Sequence, residues 1–369
     1  MKYRFLVAIC YLFTLTACAK TTLRTATENK FLMGVAVNVN QFTGQNPKEA
    51  AIINEQFSSI VPENCMKSGL IHPEENRFDF TDADRFVAFG EKNKQVIIGH
   101  CLIWHSQLPS WFFVDSLGKD VAPDVLKERM RMHITTIMHR YKGRIHGYDV
   151  VNEALNDDGS FRTSKFFQIL GKDFIRLAFQ YAHEADPEAE LYYNDYSMEK
   201  PAKCDAAVQL VKDLKAAGCR VDGVGTQGHM SLDNPSIEEF ETTLQKLSTL
   251  GVKIMVTEWD LSILPNPYKH SGANVSDRFK YTTELDPYRN GIPKNIQQEW
   301  NQKMMGMFAL FIKYSDVIDR VTLWGLNDRD SWKNNFPVKG RKDSPVLFDR
   351  QNNPKPIVEE MIRMANQKY

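Results

Sequence analysis

Two glutamates stand out for the residues beside them. Glu153 ends the stretch Asp149-Val150-Val151-Asn152-Glu153-Ala154, and Glu258 sits in Thr257-Glu258-Trp259-Asp260. Two carboxylates facing each other across one groove suit cleavage of a glycosidic bond. One protonates the leaving oxygen while the other attacks the anomeric carbon, and a separation of about 5–5.5 Å gives a covalent intermediate and retained stereochemistry. This chemistry assigns Glu153 as acid/base, which must carry a proton, and Glu258 as nucleophile, which must not. Side chains alternate along a strand, so Glu258 and Asp260 point the same way. His229, in Gln227-Gly228-His229, is expected to donate to both and hold Glu258 ionised. A lone Glu at a strand end is usually a surface ion. The joint occurrence of three such motifs shifts that balance.

His100, His105 and His229 are the residues a metal site would draw on, together with the two glutamates. No His-X-His or His-X-X-X-His pair occurs, so neither a metal nor another cofactor is expected. Trp104, Trp324 and Trp332 fall near loop ends, where sugar-stacking surfaces explain them better than core packing does.

These residues need a scaffold that gathers strand ends. Eight short apolar runs recur: Phe31–Val37, Phe57–Val61, Gln95–Leu102, Ile145–Val151, Ala189–Tyr193, Val221–Gly225, Val252–Thr257 and Asp319–Leu323. Between them lie stretches with helical spacing, including Asp124–Tyr141, Lys165–Ala185, Lys203–Ala217, Ile237–Leu250 and Asn295–Tyr314, and Ile357–Gln367 closes the chain. Strands alternating with helices imply a parallel sheet, and eight repeats are the number that closes it. The expected fold is a single α/β domain, a (β/α)8 TIM barrel, with its site at the C-terminal ends of the strands. A doubly wound open sheet is disfavoured because no Gly-rich phosphate turn follows an early strand.

The chain has 369 residues, 43% hydrophobic and 25% charged, which describes an ordinary globular protein. Lys+Arg and Asp+Glu both total 46, so the net charge is zero and the electrostatic footprint of a nucleic-acid binder is missing. A neutral polysaccharide is the better partner, and nothing points to obligate assembly, so a monomer is expected. Lys2 and Arg4 precede the apolar run Phe5–Thr16, too short to span a bilayer and typical of an export signal. The signal ends in Leu15-Thr16-Ala17-Cys18, which resembles a bacterial lipobox. Residues 1–17 are thus expected to be a lipoprotein-type signal peptide, with Cys18 lipidated and the protein held at the cell envelope through that anchor alone. Residues 18–29 would be a short tether and 30–369 the catalytic barrel.

Export permits disulfides among Cys65, Cys101, Cys204 and Cys219. Cys204 and Cys219 flank a helix that puts them roughly 20 Å apart, far beyond bridging distance. Cys65 and Cys101 end neighbouring strands and could meet, although buried free thiols are expected for all four.

Read in order, Pro62-Glu63-Asn64-X-Met66-Lys67, Gly99-His100-X3-Trp104-His105-Ser106-Gln107, Asp149 to Ala154, Gln227-Gly228-His229, Thr257-Glu258-X-Asp260 and Trp324-Gly325 resemble glycoside hydrolase family 10, the β-1,4-xylanases. The likeness runs from about Phe31 to about Met364. It implies a retaining endo-xylanase acting on xylan, arabinoxylan and xylo-oligosaccharides, with Glu153 as acid/base and Glu258 as nucleophile. It further implies that Asn152 holds the sugar 2-hydroxyl and that His100, Trp104, Gln227 and His229 line the reacting subsite. Glu63, Asn64 and Lys67 would bind the next sugar on the non-reducing side, Trp324 and Trp332 would wall it, and Tyr196 would join the substrate-binding set, with Asp260 in support. Ser68, Cys65 and Trp259 depart from the commoner pattern at the glycone edge and behind the nucleophile. The long loop Leu261–Pro293, carrying Tyr268, Tyr281 and Tyr288, is expected to shape the leaving-group subsites. A barrel glycosidase for β-glucan or mannan would share Asn152-Glu153, but Lys67, His100 and Gln227-Gly228-His229 favour xylan. A non-catalytic glycan-binding lipoprotein is the other rival, and the presence of both carboxylates with Asn152 and His229 favours activity.

Overall fold

The computed structural model describes residues 21–267 and 278–367. The export signal, Cys18 and Tyr268 lie outside the described residues.

Eight parallel strands close into a ring. They are β1 (Leu32–Val37), β2 (Ser59–Pro62), β3 (Val96–Trp104), β4 (Gly147–Asn152), β5 (Glu190–Asp195), β6 (Gly223–Thr226), β8 (Lys253–Ser262) and β9 (Ile318–Leu323). A short β7 (His229–Ser231) precedes β8. β6 pairs directly with β8, and β9 returns to β1 with Gly34 opposite Thr322, which closes the barrel. β7 stays outside the ring at the mouth and pairs only with the far end of β8, placing His229 opposite Asp260. That pairing explains why β8 runs to Ser262, well past the apolar run that marks it.

All eight expected runs are barrel strands, with ends shifted by a few residues. Phe31, Phe57, Ile145, Ala189 and Val221 are buried yet precede the ladders, because apolarity reports burial and not strand pairing. The helical stretch Lys165–Ala185 is two helices, Lys165–Leu170 and Asp173–Ala185, broken at Gly171, whose φ of 61° lies in the left-handed region. Helices Pro47–Gln56 and Thr81–Lys92 complete the outer layer.

The expected tether at 18–29 needs correction. Thr22 caps a helical turn, Leu23–Ala26, and Leu23 is fully buried with its N–H donating to Gln56 Oε1 at 3.2 Å. The turn packs on the closing helix Ile357–Ala365. Arg24 also reaches the carbonyls of Asn54 and Lys94, which precede β2 and β3. Residues from Thr22 onward are therefore part of the folded domain, on the face where the strands start.

The main core lies between the ring and its helices, while Ala36, Val61, Ile98, Tyr192, Met255 and Trp324 pack together as a second cluster. Close packing between strands needs glycine at particular points. A Cβ at Gly99, one residue before His100, would overlap the Tyr148 ring. Gly99→Ala should therefore destabilise the fold by about 1–3 kcal/mol, read as a lowered urea midpoint. A change below about 0.5 kcal/mol would show that Tyr148 yields freely.

Candidate active site

β8 presents Glu258 and Asp260 on one side, as the alternation requires, and β7 holds His229 between them. His229 Nε2 lies 3.1 Å from Glu258 Oε2 and Nδ1 lies 2.9 Å from Asp260 Oδ2. Ionised carboxylates only accept hydrogen bonds, so both contacts are satisfied when both ring nitrogens carry protons. Burial opposes that charge, but the Asp260 carboxylate and the hydrogen bonds to Asp260 and Glu258 overcome it and raise His229 to about 9. Conversely, burial would push Glu258 up. The hydrogen bond from His229 and the charges of His100, His229 and Lys67 prevail and hold it below the usual carboxylate range. Asp260 is lowered too, with His229 and Lys333 outweighing its burial.

Glu153 follows β4 at φ 59°, a left-handed conformation that costs a non-glycine residue roughly 1–2 kcal/mol. Its N–H donates to Asn194 O at 2.9 Å, and Arg162 Nε donates to its carbonyl at 3.0 Å, which secures the turn. The side chain enters the cleft with one donor on each oxygen: Trp104 Nε1 at 2.8 Å and Gln227 Nε2 at 3.0 Å. Each oxygen keeps a lone pair on which a transferable proton can sit. His105 Nε2 stands 4.0 Å away, and burial followed by the Arg162 charge lowers this histidine to about 3, so it adds no cation there.

A chain of amides joins the two acids. Gln227 Nε2 also approaches Asn152 Oδ1 at 3.4 Å, and Asn194 Nδ2 donates to Asn152 Oδ1 at 3.0 Å and to Glu258 Oε1 at 2.9 Å. Thr257 Oγ1 orients Asn194 from 2.7 Å. The residues after β2 join the same mouth: Lys67 Nζ donates to Asn64 Oδ1 at 3.0 Å and lies 5.1 Å from the centre of the Trp104 ring. Burial raises neighbouring Glu63 above the usual carboxylate range despite the Lys67 charge. His100 is fixed by Asp149 at 2.8 Å, and Trp324 stands edge-on to it with ring centres 5.2 Å apart. Trp332 donates through Nε1 to Asp260 Oδ2 at 2.8 Å, faces His229 at 4.8 Å and stacks on Phe336.

The structure thus gathers Glu63, Asn64, Lys67, His100, Trp104, Asn152, Glu153, Gln227, His229, Glu258, Asp260, Trp324 and Trp332 around one mouth. Tyr196 sits behind Glu153 and is largely buried. Its hydroxyl accepts from Arg162 at 2.6 Å, and Lys203 Nζ lies 3.4 Å from its ring centre. Lys203 in turn forms a fully buried pair with Asp195 at 2.8 Å. Trp259 is buried against Phe311 behind Glu258. All four described cysteines are free and buried, and burial raises Cys65 to about 12. The described part of the loop after β8 folds onto the segment near residue 340, where Arg289 donates to Gly340 O and Phe279 pairs with Val338. Among the described residues no group of three or more His, Cys, Asp and Glu side chains could hold a metal ion.

Asn194, Arg162 and Lys333 escaped the sequence reading as site residues. Asn194 carried a signal, since it ends a strand in Tyr-Tyr-Asn-Asp-Tyr much as Asn152 does in Val-Val-Asn-Glu.

The glycosyl hydrolase family 10 model matches residues 22–364. Endo-1,4-beta-xylanase A of Xylanibacter ruminicola is 49% identical over 334 residues, covering 90% of each chain. An endo-1,4-beta-xylanase of Geobacillus stearothermophilus is 40% identical over 93% of this chain and 98% of its own. Among solved structures, a GH10 endoxylanase retrieved from a sugarcane-soil metagenome superposes with a TM-score of 0.90 at 42% identity, covering 93% of this chain and 99% of that one.

Asn194→Ala should lower kcat roughly tenfold to a hundredfold, the range expected for a lost hydrogen bond to a charged group. An unchanged kcat would show that Asn194 only fills space.

Proposed function

The chain belongs to glycosyl hydrolase family 10, and from that membership we infer that it is a retaining endo-1,4-β-xylanase whose double displacement runs on Glu258 and Glu153. The observation that supports this division of labour is the asymmetry between the two acids. Glu258 receives an imidazolium and an amide and is held ionised, whereas the hydrogen bonds to the Glu153 carboxyl group come from a neutral indole and a neutral amide.

In the first step the Glu258 carboxylate attacks the anomeric carbon and the glycosidic C–O bond breaks. Glu153 gives its proton to the departing oxygen, leaving a glycosyl ester on Glu258. In the second step Glu153, now a carboxylate, takes a proton from water as that water's oxygen attacks the same carbon and expels Glu258. Asn152, fixed by Asn194 and Gln227, is placed to hold the 2-hydroxyl through the oxocarbenium-like transition state. Glu63, Asn64 and Lys67 serve the adjoining glycone sugar under the aromatic wall of Trp324 and Trp332, and His100, Trp104, Gln227 and His229 line the reacting subsite. Xylan, arabinoxylan and xylo-oligosaccharides are the substrates, and the described part of the loop after β8, residues 278–293, serves the leaving-group side.

Glu258→Ala should abolish turnover on every substrate. Glu153→Ala should lose most on xylan and least on an aryl xyloside with a good leaving group, because that group departs without a proton. Equal losses on both substrates would contradict the acid role.

The same proposal places the enzyme at the cell envelope as a monomer. The support is the Leu15-Thr16-Ala17-Cys18 run a few residues before the helical turn that Thr22 caps. Wild-type protein should partition with membranes and Cys18→Ser with the aqueous fraction. Identical partitioning of the two would remove the lipid anchor.

A further inference from the structure

The charges at the mouth continue beyond His229. Lys333 Nζ lies 3.6 Å from Asp260 Oδ1, Asp260 Oδ2 lies 2.9 Å from His229 Nδ1, and His229 Nε2 lies 3.1 Å from Glu258 Oε2. The row alternates in sign across four side chains. Lys333 belongs to the short turn Trp332–Asn334, and its ammonium also sits 4.6 Å from the centre of the Trp332 ring. Asp260 is fully buried, and among the described residues no hydrogen-bond donor reaches its Oδ1. The Lys333 ammonium is the charge that faces that oxygen.

We propose that Lys333 is a positioning residue for the double displacement: it holds Asp260 ionised and, by its own charge, limits how firmly His229 keeps the proton aimed at Glu258. The proposal rests on Glu258 being the nucleophile. In the free enzyme the four charges sum to zero. Once Glu258 becomes a glycosyl ester it no longer carries charge, and the remaining three sum to plus one. In the covalent intermediate, where the His229 N–H assists the carboxylate's departure, the Lys333 charge that opposes the His229 proton is no longer offset by that of Glu258. The other groups facing this row are His100 from β3 and Lys67 after β2, both acting on Glu258, and Asp343 acting on Lys333. His229 is raised to about 9 with Lys333 among the influences that lower it. The sign follows: removing this cation lets His229 hold its proton to higher pH.

The test separates His229 from Glu153 by substrate. On 2,4-dinitrophenyl xylobioside the leaving group needs no proton, and Glu153 acts afterwards only as a base, so the alkaline limb of kcat reports the His229 proton. Lys333→Met should raise that limb, and the His229 titration followed by 15N NMR, by roughly half to one pH unit. Lys333→Arg should leave both in place, and Lys333→Gln should repeat the Met result if the Met variant folds poorly. Unmoved limbs and titrations in the neutral variants, or equal shifts in Met and Arg, would overturn the proposal. Turnover retained by Glu258→Ala would instead overturn the nucleophile assignment, and the NMR titration would still judge the effect of Lys333 on His229.

Discussion

One imidazole shared by two carboxylates of a single strand sets the terms for the rest of the mouth. Period-two alternation on β8 aims Glu258 and Asp260 the same way, and a buried pair of like charges so close together would expel one of them by protonation. His229 prevents this, and it can do so only because the three residues of β7 pair with the far end of β8 and carry the ring into position. Trp332, which donates to the same Asp260 oxygen as His229, brings the aromatic wall into register with this trio. The Glu258 charge and the Trp332 ring are therefore fixed through hydrogen bonds that converge on Asp260 and His229.

The other acid is treated differently. Glu153 meets an indole and an amide, neutral donors that orient a carboxyl group in either protonation state. Its backbone conformation is secured from behind by Arg162, and the Asp195–Lys203 pair under Tyr196 keeps the remaining charges of that wall paired. The amides of Gln227, Asn152 and Asn194 then couple the position of Glu153 to that of Glu258 without adding a charge between them.

Much of this was legible in the linear chain because site residues directly follow the apolar runs. A run marks a buried strand, and the polar letters after it mark the mouth, so Glu63, His100, Asn152, Gln227, Glu258 and Trp324 could be assigned to strand ends without coordinates. Strand starts were read too early for the same reason: Phe57 and Ile145 are as buried as any strand residue but belong to the core between the ring and its helices without pairing in the ladder. Asn194, Arg162 and Lys333 depend on register between segments far apart in sequence. Asn194 meets Glu258 across 64 positions, and no local pattern encodes that distance. The region before residue 30 was misread because a single turn is too short to show periodicity, although Thr22 is a capping residue followed by a leucine that proves fully buried.

The turn at Leu23–Ala26 rests against the closing helix and beside the strand starts, on the far side of the barrel from the two glutamates. That turn therefore belongs to the floor of the molecule. A protein fastened to a surface through that end would hold its groove outward, open along its length, and a polymer many times longer than the enzyme could lie across it without touching the support.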